Sequence, residues 1–383
     1  MSAMHGFVRR SVFASAGVFL VAVLPCLSPP AEADLLFDQI NLVTNDQMAN
    51  SAQVTDPHLL NAWGISFSAT SPFWVSDNGY GVSTLYAVDP NTNATTINSL
   101  VVTIPPAGGG TPTGQVINAT SAFNNDRFLF VSEDGTISGW RGALGTTAEV
   151  LQLGSPDNVY KGTTEATING YSYLYAANFR AGTIDVLKGT SGAPNLASHF
   201  TDPTLPAGYA PFNIQKLGDY LYVTYAVQDA SKHDDVSGAG NGIVSVFDTQ
   251  GNFLGRVGTG GTLNSPWGLA IAPLSFGDLA GDLLVGNFGD GTINAFNLGK
   301  GRFDGQLKAL DGSVLAIDGL WGLTVGNDGN GGSSNKLYFS AGPDGETNGL
   351  FGVLTAVPEP STLLLLATGL AGLTGLGWRR ARQ

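Results

Sequence analysis

The chain has 383 residues, of which 53 are glycine and only 12% are charged, with a formal net charge of -13 at pH 7. Helical proteins need many charged residues on exposed faces and long i, i+3, i+4 apolar patterns, so this composition favours a β-rich domain. Residues 34–361 contain 12 of the 17 basic and 29 of the 30 acidic residues, a formal charge of -17. An acidic domain of this kind repels nucleic acid and anionic lipid, and neither is an expected partner.

Residues 1–33 have the three parts of a secretory signal peptide with a helical apolar core. A pair of arginines precedes the apolar stretch 11–24, and Ala31-Glu32-Ala33 supplies the small-x-small pattern that signal peptidase cleaves. We predict cleavage after Ala33, which would remove Cys26 and leave an exported chain without cysteine or disulfides. Cys26 offers the alternative of a lipoprotein, although the proline before it fits a lipobox poorly.

Two short markers recur through the middle of the chain. Residues 178–184 and 287–293 share the pattern Asn-Phe-x-x-Gly-Thr-Ile, and each copy follows a strand-like apolar run. Looser copies lie at residues 73–78, 127–137, 220–225 and 336–340. Trp-Gly, the second marker, stands upstream of three of these hairpins. Two or more copies of a marker indicate a repeated structural module.

The module repeats at a period of about 50 residues with short alternating strands, which is typical of a propeller blade of four antiparallel strands. A β-sandwich would lack this long period, and a solenoid would have a shorter one. We therefore predict an all-β fold, a six-bladed β-propeller. The predicted blades are 59–108, 113–154, 158–205, 208–260, 264–312 and 318–356.

The last blade ends one strand short, at residues 352–356, whereas residues 37–43 form a strand-like run before the first blade. We predict that this N-terminal strand completes the last blade, because pairing the two exposed edges closes the ring. The propeller domain would then extend over residues 34–356.

The strand directions place both markers at one mouth of the central channel. Aromatic faces stack on sugar rings and carboxylates accept hydrogen bonds from hydroxyls, so this mouth is a candidate ligand site. Its candidate residues are Trp63, Asp77, Asn78, Glu133, Asp134, Lys161, Asn178, Arg180, Trp267, Asn287, Asp290 and Trp321. Structural roles are the alternative: tryptophans that pack between blades, glycines that allow close backbone approach, and acidic residues that cap turns.

A long loop, residues 228–242, replaces a tight hairpin in the fourth blade and is expected over the same mouth. Asp229, Asp234 and Asp235 could supply oxygen ligands to Ca²⁺, although their spacing does not match an EF-hand. A solvated lid is the alternative. We assign no catalytic residue, because zinc-binding histidine pairs, a Gly-x-Ser-x-Gly elbow and a P-loop are absent from the sequence.

The tail, residues 357–383, consists of Pro358-Glu359-Pro360, an apolar run at 362–378 and a basic end. It resembles the PEP-CTERM sorting signal of Gram-negative bacteria that make extracellular polysaccharide. In that family a membrane peptidase, the exosortase, recognises the motif and removes the tail. The resemblance implies signal peptidase and exosortase as partners during export. It also implies a C-terminal transmembrane helix that anchors the protein transiently in the inner membrane before release to the surface or the extracellular space.

The repeats resemble NHL-type six-bladed propellers and, more narrowly, a family of uncharacterised PEP-CTERM proteins with the same markers and an Asp-rich insert in blade four. Several NHL-like propellers are lactonases or lyases with a channel metal, and the resemblance suggests Asp77, Glu133, Asn178 and Asn287 as ligands here. Two hypotheses follow. The first is a surface or matrix module that binds polysaccharide or protein, and the second is a metal-dependent lactonase or lyase.

Overall fold

Six sheets of mainly antiparallel strands are formed by the residues that the computed structural model describes, 35–106 and 108–358. Each predicted blade corresponds to one sheet, which confirms the six-bladed β-propeller. The predicted signal peptide and the apolar run 362–378 lie outside the described residues, as do Glu359 and Pro360. Within the described ranges, no helix is long and apolar enough to span a membrane.

Two strands precede blade 1: β1 (Leu35–Thr44) and β2 (Val54–Thr55). Blade 1 consists of β3 (Ala62–Ser66), β4 (Phe73–Asp77), β5 (Val82–Val88) and β6 (Thr95–Ile97), with β7 (Val102–Thr103) also paired to β5. Blade 2 consists of β8 (Pro112–Ile117), β9 (Phe128–Ser132), β10 (Ile137–Trp140) and β11 (Glu149–Gln152). Blade 3 consists of β12 (Tyr160–Ile168), β13 (Tyr171–Asn178) and β14 (Thr183–Lys188).

Blade 4 consists of β15 (Tyr209–Leu217), β16 (Tyr220–Val227), β17 (Gly242–Phe247) and β18 (Phe253–Thr259). Blade 5 consists of β19 (Pro266–Ile271), β20 (Leu283–Asn287), β21 (Ile293–Asn297) and β22 (Arg302–Gln306), and β23 (Lys308–Ala309) follows it. Blade 6 contains β24 (Leu320–Val325), β25 (Leu337–Ala341) and β26 (Leu350–Pro358). The helical segments are three short 3₁₀ turns, Phe123–Asn125, Gly142–Leu144 and Leu274–Leu279, and the one-turn α1, Pro343–Glu346.

Blade 3 departs from the four-stranded pattern, since its sheet has three strands in the described chain. The segment 189–208 follows the third strand and buries Ala193 and Phe200 against the core without joining the sheet. This segment contains Pro194, Pro203 and Pro206. Proline cannot donate to a strand ladder, which accounts for the missing fourth strand.

The N-terminal strand closes the ring as predicted. Strand β1 pairs antiparallel with β26 from Leu35 opposite Pro358 to Thr44 opposite Leu350. Blade 6 therefore has the strand order β24-β25-β26-β1, and β1 is its fourth strand. The outer edge of β1 is partly covered, because β23 pairs with its beginning and β2 with its end.

The glycine of each Trp-Gly marker lies where the innermost strands of adjacent blades meet. A Cβ added at Gly64 would lie 2.6 Å from the Thr113 carbonyl oxygen of the next blade, and one at Gly268 would lie 2.6 Å from that of Trp321. Blade 4 carries Asn213 at this position, and its side-chain amide donates to the Trp267 carbonyl (2.8 Å). The prediction that these glycines allow close backbone approach is confirmed.

Candidate functional site

Aromatic side chains from five blades close the central channel below the predicted mouth. They form one cluster, called here the aromatic floor: Trp63, Phe179, Phe212, Trp267, Phe288 and Trp321. Trp321 is stacked between Trp63 and Phe288, with ring centroids 3.4 and 3.9 Å away. The Trp267 indole donates to the backbone carbonyl of Lys161 (3.0 Å), which joins blade 5 to blade 3 across the ring.

The three predicted tryptophans are buried within this floor. Trp63, Trp267 and Trp321 are 2%, 5% and 1% exposed, so their faces contact one another rather than solvent. Their role is packing, although they pack at the centre of the ring and not in the wedge between neighbouring blades. The floor therefore gives the mouth a rigid base, and polar side chains line the mouth above it.

A polar cluster lies directly over the aromatic floor. The ammonium group of Lys161 donates to Glu133 (2.5 Å) and to Asp234 (3.1 Å), and it lies 5.2 Å from the centre of the Trp63 ring. His233 contacts the Asp234 carboxylate through Nδ1 (2.8 Å). Blades 2, 3 and 4 thus meet at one buried cation, because the Lys161 side chain is only 2% exposed.

A relay of hydrogen bonds ties the floor to the carboxylate of Glu133. The Trp321 indole donates to Asn61 Oδ1 (3.1 Å), and Asn61 Nδ2 donates to Asn78 Oδ1 (3.2 Å). Asn78 Nδ2 then donates to Glu133 Oε2 (2.9 Å). Both oxygens of Glu133 accept hydrogen bonds, one from Lys161 and one from Asn78, so the orientation of this carboxylate is fixed from two sides.

The charges of the mouth influence one another strongly. Burial opposes the charge on Lys161, but Glu133 and Asp234 outweigh burial and raise its pKa above the ordinary value. Burial likewise disfavours the charge on Asp234, yet Lys161 and His233 hold the pKa of this carboxyl below its usual value. The contacts of the polar cluster therefore favour the charged forms of Lys161 and Asp234.

Glu346 extends this network to blade 6. Burial, together with the negative charge of Glu133, raises the pKa of Glu346 from 4.5 to about 7. Glu346 belongs to the turn α1 between β25 and β26. The mouth thus has carboxyl groups from blades 2, 4 and 6, of which Glu346 changes its charge near neutral pH.

The other predicted residues of the hairpin markers hold their own turns. Asn178 and Asn287 each accept a backbone N–H through the side-chain oxygen, from Val159 (3.2 Å) and Asn264 (3.1 Å). The same asparagines donate to Asp185 (2.8 Å) and to Asp290 (3.2 Å). These contacts explain the Asn of the Asn-Phe-x-x-Gly-Thr-Ile marker as a structural residue.

Three further candidates also make local contacts. Asp134 and Asp290 each accept hydrogen bonds from the backbone N–H and the hydroxyl of the threonine two positions on. Arg180 donates to the Pro156 carbonyl (2.7 Å). These three residues stabilise turns at the rim of the mouth and do not reach the Lys161 cluster by any hydrogen bond in the described structure.

Asp77 lies apart from the polar cluster. Its carboxyl group is completely buried, and burial raises its pKa well above the usual value, with Asp56 adding to the effect. Neither carboxyl oxygen of Asp77 has a hydrogen-bond partner in the described structure, since the Thr84 hydroxyl donates to the Tyr86 hydroxyl (2.8 Å). Asp77 and Asn78 are consecutive residues, and only Asn78 is directed toward Glu133.

The three aspartates predicted for Ca²⁺ do not converge. Asp229 accepts from Ser231 Oγ (2.6 Å) and from the backbone N–H of His233 (2.8 Å), which holds the loop 228–242 in shape. Asp235 accepts from Ser237 Oγ (3.0 Å), and only Asp234 contacts Lys161. Within the described chain, the acidic and histidine side chains close enough to share an ion are Glu133, His233 and Asp234, whose ligand atoms lie within 4.8 Å of one another.

Three residues of the mouth were missed by the sequence analysis. His233 belongs to no marker and to no zinc-binding histidine pair, although its neighbour Asp234 is a candidate. Asn61 and Glu346 belong to no marker, since Asn61 lies just before the strand that carries Trp63 and Glu346 lies in the connection between β25 and β26. A positive φ at Asn61 (49°), two residues before a marker tryptophan, has counterparts at Ser265 (46°) and Gly319 (63°). Asparagine and glycine tolerate this conformation. An asparagine or glycine two residues before a marker tryptophan is therefore the sequence signal that could have identified Asn61.

Comparison with known proteins agrees with the fold and the tail. Residues 356–382 match the family described as PEP-CTERM protein-sorting motif, which marks the chain for export and membrane-associated sorting. Among solved structures, the α-L-arabinofuranosidase Arb93A from Fusarium graminearum is similar with a TM-score of 0.50 and 12% identity, over 83% of this chain and 97% of that one. A structure of streptogramin B lyase has a TM-score of 0.49 and 14% identity, over 85% and 100%. The fold and tail define a six-bladed β-propeller with a PEP-CTERM sorting motif.

Two relatives from Acanthamoeba polyphaga mimivirus identify the family more closely. Uncharacterized protein R648 is 32% identical over 331 residues, which cover 82% of this chain and 79% of the relative. Uncharacterized protein L690 is 33% identical over 316 residues, which cover 78% and 81%. The chain belongs to the same family as these two proteins.

Proposed function

We propose that the exported propeller is a binding module of the cell surface or extracellular matrix, and that its polar mouth binds a hydroxyl-rich polysaccharide. One observation carries this proposal: carboxyl groups from blades 2, 4 and 6 surround the buried Lys161 over a sealed aromatic floor. Carboxylates held in place by the protein accept hydrogen bonds from hydroxyls without further ordering, and this favours binding.

The polar cluster is better suited to holding a ligand than to attacking one. The Lys161 amine is charged and bonded to two carboxylates, so it has no free electron pair for nucleophilic chemistry. Both oxygens of Glu133 are occupied by Lys161 and Asn78. Asp234 remains largely open to solvent, with 65% of its side chain exposed, and is the most accessible acceptor of the cluster.

Binding of polysaccharide from the producing organism's own matrix, by glycan array and calorimetry, tests the proposal. Asp234→Asn should weaken binding about 10-fold or more because it removes the accessible charged acceptor, and Glu133→Gln should do the same because it removes the charge that holds Lys161 in the cluster. Asp311→Asn is the matched control, since the Asp311 carboxylate bonds only to Ser313 in an exposed turn. Absence of any bound glycan, or equal losses in all three variants, would contradict the proposal.

A metal-dependent lactonase or lyase is the second candidate function. It is favoured by the approach of Glu133, His233 and Asp234 within 4.8 Å, a set of ligand types that suits a divalent cation. Lys161 opposes it, because its ammonium group already supplies positive charge between two of the ligands.

Metal analysis of the purified domain separates the two functions. A metal enzyme should contain a stoichiometric divalent ion, and added Ca²⁺ or another divalent metal should raise its melting temperature by mass action. Glu133→Gln should abolish both effects. A domain that purifies without metal and whose melting temperature does not respond to divalent ions is not this enzyme.

A further inference from the structure

The two ends of the described chain leave the propeller on the same face. Leu35 pairs with Pro358 at one end of blade 6, and Thr44 pairs with Leu350 at the other. Leu350 follows directly on the turn that carries Glu346, so this second end of the strand pair lies at the polar mouth. Leu35 and Pro358 therefore lie on the opposite face, called here the exit face.

The distance between the two faces follows from the length of β26. Nine residues of β-strand extend about 30 Å, which separates the mouth from the exit face. Residues 359–361 are the whole connection between Pro358 and the apolar run that begins at Thr362. Three residues reach about 10 Å at most, so a bilayer that holds the apolar run lies close to the exit face.

An exposed leucine stands beside these chain ends. The segment Leu274–Leu279 connects β19 to β20 on the exit face, and its Phe276 ring contacts Phe37 of β1 with centroids 4.7 Å apart. Ser275 Oγ donates to the Asn335 carbonyl in the connection before β25 (2.5 Å). Leu274 is 86% exposed at this site, whereas its neighbour Phe276 is completely buried.

We propose that, while the tail is held in a bilayer, the exit face rests on the lipid surface through Leu274 and the polar mouth opens away from the membrane. An exposed apolar side chain gains free energy at the lipid interface, and the short connection keeps it there. The acidic domain is repelled by anionic headgroups, so the contact is apolar and confined to the neighbourhood of the tether. This orientation is independent of which ligand the mouth binds.

The orientation can be measured on the full chain in phosphatidylcholine vesicles. In a Cys26→Ser background, single cysteines at Asp278→Cys and Met48→Cys receive the same fluorophore, and a nitroxide on the lipid headgroup quenches it. Asp278 lies in the exit-face segment, and Met48 is 97% exposed just beyond the mouth end of β1.

Quenching should be several-fold stronger at position 278 than at position 48. Equal quenching at both positions, stronger quenching at position 48, or a chain that does not float with the vesicles would overturn the proposal. A polarity-sensitive label at Leu274→Cys provides a second measurement. Its emission should shift to the blue when the chain joins the vesicles, and an unchanged emission would refute lipid contact at this residue.

Discussion

At the scale of single residues, the fold keeps one lysine charged inside the protein. Lys161 is buried over aromatic rings and is stable there because Glu133 and Asp234 compensate its charge. A buried ion pair of this kind contributes little net stability relative to an apolar replacement of both partners, but breaking it leaves an uncompensated charge. The cluster is therefore sensitive to the loss of one member.

Lys161→Met should lower the free energy of unfolding by about 3–5 kcal/mol, because Glu133 loses its counter-charge in a mostly buried position. Denaturant unfolding at neutral pH measures the change. Lys300→Met is the control, since Lys300 is exposed and its loss should cost within about 0.5 kcal/mol. Equal stability of the two variants would show that the Lys161 ion pairs are not maintained in solution.

Glu346 predicts a pH dependence of stability with a definite sign. The pKa of its carboxyl rises from 4.5 to about 7 on folding, so the folded state binds the proton more tightly than the unfolded chain. The stabilising effect of protonation is complete below about pH 4.5 and is lost as the pH rises through about 7.

Wild-type protein should therefore lose stability relative to Glu346→Gln between about pH 5 and pH 8, as measured by denaturant unfolding at each pH. The comparison isolates the contribution of Glu346 from that of carboxyls such as Asp234, whose pKa is lowered and which therefore changes charge at a more acidic pH. Asp311→Asn should show no change relative to wild type over the same interval. A constant difference between wild type and Glu346→Gln would mean that Glu346 titrates normally.

At the scale of elements, the innermost strands of blades 1, 5 and 6 need a glycine where adjacent blades meet. This requirement is local in sequence, which is why the Trp-Gly markers could predict where blades begin. Strand direction predicted one shared mouth for the markers, and the structure brings Glu133 and Lys161 into contact. Strand direction could not separate Asp77 from Asn78, because it defines a mouth but not to which side each of two consecutive residues points.

Gly64→Ala should destabilise the ring by about 1–3 kcal/mol, because the added methyl group meets backbone atoms of the next blade at 2.6 and 2.9 Å. Gly142→Ala is the matched control, since a Cβ there has no atom within 4 Å. Thermal and denaturant unfolding of both variants measure the difference. If Gly64→Ala were as stable as Gly142→Ala, the close approach of the strands would not exist in solution.

At the scale of the whole molecule, ring closure creates contacts that could not be predicted from the sequence. The repeat predicted six blades, and the missing last strand predicted the place of β1. The partners of Lys161 come from separate loops, and Glu346 joins them only because blade 6 returns to blade 1. The depth of the tryptophans also depends on the closed ring, since strand direction defines a mouth but not how far a side chain lies below it.

Closure by β1 should make the propeller unfold as one unit. Phe37 of β1 is buried against Phe276, so Phe37→Ala should cost about 3–5 kcal/mol, whereas Gln39→Ala at an exposed position of the same strand should cost within about 0.5 kcal/mol. Far-UV circular dichroism reports the strands, and tryptophan fluorescence reports the aromatic floor at the centre of the ring. In Phe37→Ala both signals should shift together, because an unpaired blade 6 exposes the core contacts of blades 5 and 1 at the same time. Two separate transitions, or a shift no larger than that of Gln39→Ala, would mean that the blades are stable without the closing strand.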